Sequence, residues 1–111
     1  VKKYWKKKWI EALRRGAYKQ TQGTLRLVEG KKKPSFCCLG VLCDLPANSR
    51  WNDEDKYVHA GTVTVGSHGD LDQGGRDKFG ISHDEMCTLI RMNDDEGASF
   101  KKIAKYIEKN L

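Results

Sequence analysis

Long apolar runs are scarce in this chain, and their scarcity excludes a class of protein. Nowhere in the 111 residues is there anything near the roughly 18 consecutive apolar residues that a membrane span requires. No charged-then-apolar segment reads as a secretion signal, so a soluble protein of the cytoplasm is expected. Also missing are a Cys-x-x-Cys pair, a Walker-type phosphate loop and a Gly-x-Gly-x-x-Gly turn, which removes the sequence signatures of zinc ribbons, P-loop enzymes and dinucleotide folds. Acidic residues are scarce in one part only. Residues 1–33 carry 12 Lys/Arg against Glu11 and Glu29, a net +10, whereas residues 34–111 carry 9 against 13, a net −4. A basic front of this kind favours an anionic partner: nucleic acid, a nucleotide or an acidic protein surface. The plainer alternative is that Lys2, Lys3, Lys6, Lys7 and Lys8 only solvate one side of a helix.

What the chain does have is one long apolar run, residues 35–45, with no charged residue from Phe36 to Cys43. It must be covered on most sides, so it is the expected core. Ser35 as N-cap and Pro46 beyond the end fit a short buried helix. The four cysteines lie in or beside apolar segments rather than spread as a loop framework, which suits reduced thiols. At 12.6 kDa, a single domain over residues 1–111 is expected.

Residues 3–15 have helical spacing, with Trp5, Trp9, Ala12 and Leu13 on one stripe and Gly16 as the stop. Residues 24–28 suit a short strand, and residues 57–65 suit another that could pair with it. Residues 66–75 hold four glycines and read as a loop or turn. Ser82 and Glu85 have the form of a capping box ahead of a helix from about 83 to 92, residues 93–97 break it, and Ser99 caps a last helix striped by Phe100, Ile103, Ala104, Ile107 and Leu111. The expected fold is therefore α+β: a small antiparallel sheet from 24–28 and 57–65, covered by three or four helices. These include the buried Cys-rich helix and a C-terminal helical hairpin.

Four blocks carry a resemblance. They are Trp-Ile-Glu-Ala-Leu-Arg-Arg-Gly-Ala-Tyr-Lys-Gln at 9–20, Phe-Cys-Cys-Leu-Gly-Val-Leu-Cys-Asp-Leu at 36–45, Leu-Ile-Arg-Met-Asn-Asp at 89–94, and Gly-Ala-Ser-Phe-Lys-Lys-Ile-Ala-Lys-Tyr-Ile-Glu at 97–108. Together, these blocks resemble a family of small uncharacterised proteins of tailed bacteriophages and prophages. The resemblance implies a phage accessory protein in the bacterial host cytoplasm, of the kind that antagonises host defence.

Candidate site residues follow from chemistry. Arg14, Tyr18, Lys19, Gln20 and Arg26 combine guanidinium forks for phosphate, an aromatic face for a base and an amide for a base edge, although the same residues could simply pad a loop. Trp51 is expected as an exposed stacking group. Asn93 and Asp94, at an elbow between helices, either touch a ligand or tie the elbow through side-chain to backbone bonds. On a helix Cys37 and Cys38 diverge by about 100°, so no metal site is assigned despite His59, His68 and His83. No catalytic residue and no cofactor are assigned either. The leading expectation is a non-catalytic binder that sequesters an anionic nucleotide-type ligand, as a homo-oligomer. Nucleic-acid binding by the basic N-terminal helix and docking on an acidic host protein are the alternatives.

Overall fold

In the computed structural model, residues 1–52, 54–59, 62–63 and 70–111 are described. Helix α1 spans Lys3–Arg15 and buries Trp9, Ile10, Ala12 and Leu13. Three of these are large side chains, each worth about 1.5–3 kcal/mol or more when removed from water. Gly16, at φ 78°, ends the helix in the left-handed conformation that glycine adopts without penalty. The chain before α1 is pinned as well, since the Lys2 N–H donates to the Phe79 carbonyl at 2.9 Å.

The uncharged run divides in two. Ser35–Phe36 is a strand, and helix α2 covers Cys38–Asp44 with Cys37, not Ser35, at its N-cap. Strands β1 (Lys19–Gln20), β2 (Arg26–Leu27) and β3 (Ser35–Phe36) form one sheet in the order β1-β3-β2, with β1 parallel and β2 antiparallel to β3. Strands β4 (Arg50–Trp51), β5 (Tyr57–His59) and β6 (Thr62–Val63) form a second, antiparallel sheet. The expected pairing of 24–28 with 57–65 is therefore corrected: Arg26 and Leu27 pair with Phe36 and Ser35. Closing the short 28–34 loop costs less chain entropy than bridging some thirty residues, and Phe36 was free to serve as a strand once Cys37 took the cap. Residues 60–61 and 64–65 of the expected second strand lie outside the described residues.

Helix α3, Gln73–Phe79, occupies part of the expected glycine-rich loop. Asp72 caps it by accepting from the Gly75 N–H at 3.0 Å, and burial of Gly75 and Phe79 offsets the poor helix propensity of two glycines. The rest of that expected loop, 66–69, lies outside the described residues. Helix α4, His83–Ile90, opens with the expected capping box: Ser82 and Glu85 exchange bonds of 2.9 and 3.1 Å. It then widens into a π-turn, Arg91–Asp95, closed by the Glu96 N–H on the Arg91 carbonyl at 3.0 Å. Helix α5, Phe100–Asn110, is capped by Ser99 as expected, and it lies along α1. Its buried stripe is Phe100, Ile103, Ala104 and Ile107.

The fold is α+β, with both sheets and all these helices around one apolar cluster that includes Trp9, Leu13, Leu25, Leu39, Leu42, Tyr57, Phe79, Leu89, Ile103 and Ile107. Among the described residues no helix is long and apolar enough to cross a membrane.

Candidate functional site

The distinctive 36–45 block is occupied by structural work. Cys37 Sγ accepts from the Gly40 N–H at 3.4 Å, and Cys38 receives Trp9 Nε1 on its carbonyl at 2.9 Å while its Sγ faces the Leu89 carbonyl at 3.7 Å. Gly40 lies so close to the Leu25 backbone that a Cβ would collide with the Leu25 carbonyl. Burial pushes the Cys37 thiol up to about 12, and burial likewise holds Cys38 and Cys43 well above the usual thiol range. None of these three is a nucleophile in the folded protein, because the thiolate is the reactive form. Asp44 closes the block, taking the Tyr18 hydroxyl at 2.9 Å and Trp51 Nε1 at 3.1 Å on its two oxygens.

The expected ligand residues fall into separate places. Arg14 is exposed, and its guanidinium forks onto Glu108 of α5 through two bonds of 3.1 Å, which lowers the Glu108 carboxyl from its usual range. Tyr18 packs edge-on against Phe36, with ring centroids 5.2 Å apart. Trp51 is not the exposed platform expected: it is half-buried between Phe36 and Tyr57, with the Arg26 guanidinium 5.6 Å from its ring. Arg26 also pairs with Asp55. Tyr18, Arg26 and Trp51 are thus brought together with Asp44, and Arg14 and Lys19 are not. Lys19 is exposed and, among the described residues, makes no ion pair.

Gln20, Asn93 and Asp94 form a second cluster. Asn93 is wholly buried, although it is an amide. Its Oδ1 accepts from the Cys38 N–H at 3.2 Å and from Gln20 Nε2 at 2.9 Å. Its Nδ2 donates to the Thr21 carbonyl and to Asp94 Oδ1, each at 2.8 Å. The π-turn makes this possible, because it buries the adjacent side chains Met92 and Asn93 together. All four hydrogen-bonding positions of the amide are satisfied within the chain, so Asn93 ties β1, α2 and the elbow into one seam.

Uncommitted charge lies elsewhere. Helices α1 and α5 carry 10 Lys/Arg against Glu11 and Glu108, a net +8, so the rest of the chain is −2 if the whole is +6. On the outer side of α1, an open depression is lined by Lys3, Tyr4, Lys7, Lys8 and Glu11. Tyr4 is 64% exposed, more than any other large hydrophobic side chain among the described residues. Lys8 Nζ stands 5.1 Å from its ring centre. The Tyr4 ring meets Trp5 edge-on at 4.8 Å, and Trp5 in turn meets buried Phe79 at 5.5 Å. Among the described residues, Lys3, Lys7 and Lys8 make no ion pair, and no three His, Cys, Asp or Glu side chains converge as a metal site would.

A family model described as a domain of unknown function (DUF8296) matches residues 1–71. The chain belongs to this family. No curated protein and no solved structure matches it. The DUF8296 match takes in α1, both sheets and α2, and it therefore contains the outer face of α1 and the Asp44 cluster. Asn93 and α5 lie beyond it, yet Asn93 bonds to residues of the matched part and α5 covers α1. The match ends inside the core rather than at its edge.

Tyr4 is the group in this DUF8296 chain that sequence reasoning passed over. A signal was present: at about 100° per residue, Tyr4 lies about 140° from Trp9 and opposite Leu13, so it cannot belong to the buried stripe. Asp44 was likewise passed over, and no local pattern shows that two indole or phenol donors converge on it.

Proposed function

We propose that the protein is a non-catalytic binder of nucleic acid, which it engages through the outer face of α1, with the exposed lysines of α5 extending the same positive field. The carrying observation is that two packed helices hold a net +8 in a chain whose remainder is −2. Lys3, Lys7 and Lys8, which make no ion pair among the described residues, are available to neutralise phosphates and release counterions. The nucleotide-type capture expected around Arg14–Arg26 has less support, because Arg14, Tyr18, Gln20, Arg26 and Asn93 already spend their hydrogen bonds within the chain. The resemblance of the 36–45 block to phage proteins supports placing this activity in a bacterial host, as a phage accessory factor.

Fluorescence anisotropy with labelled oligonucleotides across a salt series tests the proposal. Affinity should fall steeply with salt, with a log–log slope of roughly −2 to −4, as expected for about three to five phosphate contacts. The K3Q/K7Q/K8Q variant should flatten that slope. Absence of any binding at low salt would overturn the proposal.

A further inference from the structure

We infer that the face takes single-stranded nucleic acid in preference to duplex, with Tyr4 as the residue on which an unpaired base stacks. This inference rests on the nucleic-acid reading above and specifies its substrate. A tyrosine on a solvent-facing helical position contributes little to a core, yet this one is mounted with care. Trp5 abuts it at 4.8 Å and is itself seated against Phe79, which is fully buried, so the exposed ring sits on a rigid aromatic column that reaches into the interior. A ring held this way loses little conformational freedom when a base stacks on it. Lys3, Lys7 and Lys8 flank the ring within two helical turns and supply the phosphate-tracking charge that accompanies stacking platforms in single-strand binders.

Duplex recognition fits the same surface less well. Major-groove readout rests on bidentate pairs, Arg or Lys with guanine and Asn or Gln with adenine, and the lysines of this face can supply only the first kind. The α1 sequence contains no Asn or Gln, and one of its two arginines, Arg14, is held by Glu108. A stacking ring gains nothing from bases that are already paired. Glu11, which shares the depression, would repel a phosphate and could only face the base side of a strand.

The test compares a short oligothymidine with a duplex of equal length, using wild type, Tyr4→Ala, Tyr4→Phe and K3Q/K7Q/K8Q. The single strand is expected to bind at least roughly tenfold more tightly than the duplex. Tyr4→Ala should lose about tenfold on the single strand and little on the duplex, and Tyr4→Phe should keep the affinity. If the lysine variant loses both ligands while Tyr4→Ala changes nothing, or if duplex binds as well as single strand, the stacking inference is wrong and the basic-face reading stands. If wild type binds neither, both are wrong, and an acidic protein partner for this face takes their place.

Discussion

The seam around Asn93 and the outer face of α1 are both rich in polar groups, yet they use them in opposite ways. At the seam, a buried amide satisfies two donors and two acceptors, all inside the chain, and nothing is left over for a ligand. On α1, an exposed tyrosine and three lysines stand at helical spacing with no ion pair among the described residues. Burial makes an unsatisfied polar group expensive, so the interior must close its accounts, whereas solvent tolerates open valence. Polarity by itself therefore does not mark a site, and uncommitted polarity is the better guide.

The most severe way to break the seam is Gly40→Ala. With the Leu25 carbonyl in the space a Cβ needs, α2 must move away from the strand region, and more than about 4 kcal/mol of destabilisation is expected. The variant should be insoluble or lack a cooperative melt by circular dichroism. Asn93→Ala comes next: it strands the Cys38 N–H and the Thr21 carbonyl, and about 3 kcal/mol should be lost in a urea titration.

Tyr18→Phe is milder, at about 1 kcal/mol, and its effect depends on pH. Burial first, and the bond to Asp44 second, raise the Tyr18 hydroxyl from 10.0 to about 12. The native chain thus holds this proton more tightly than the unfolded chain does. The associated stability is present in full below pH 10 and is lost as the pH climbs from about 10 towards 12. The buried thiols weaken the fold in alkali too, so the diagnostic is the difference between the two proteins: wild type should lose more stability than Tyr18→Phe across that window. At the small end, K3Q/K7Q/K8Q should leave the urea midpoint within about 0.5 kcal/mol of wild type while weakening nucleic-acid binding, which would sharpen the contrast between the two regions.

Much of the fold was legible because its signals are local. The bounds of α1, its stop at Gly16, the Ser82–Glu85 capping box and the Ser99 cap each lie within a few residues of what they control. The strand pairing, α3 and the π-turn were not legible, since each depends on what packs against it. The candidate site shows the same limit. Arg14, Tyr18 and Gln20 are neighbours in sequence, but their partners Glu108, Asp44 and Asn93 lie 94, 26 and 73 positions away. Only those distant partners reveal that the three are already engaged. The basic front needed no such information, because charge can be counted.

Finally, the packing of α1 against α5 has a consequence for the order of events during synthesis. Translation runs from N to C, so α1 emerges before α2 and α5, and its Trp9 and Leu13 stripe, which meets α2 as well, lacks the cover of α5 until those 11 residues have cleared the ribosome. Asn93, which joins β1 to α2, also arrives late. The nascent chain therefore cannot settle piece by piece, and closure of the α1–α5 layer waits for α5, an interval in which the basic, aromatic face of α1 is exposed to whatever polyanion is nearest.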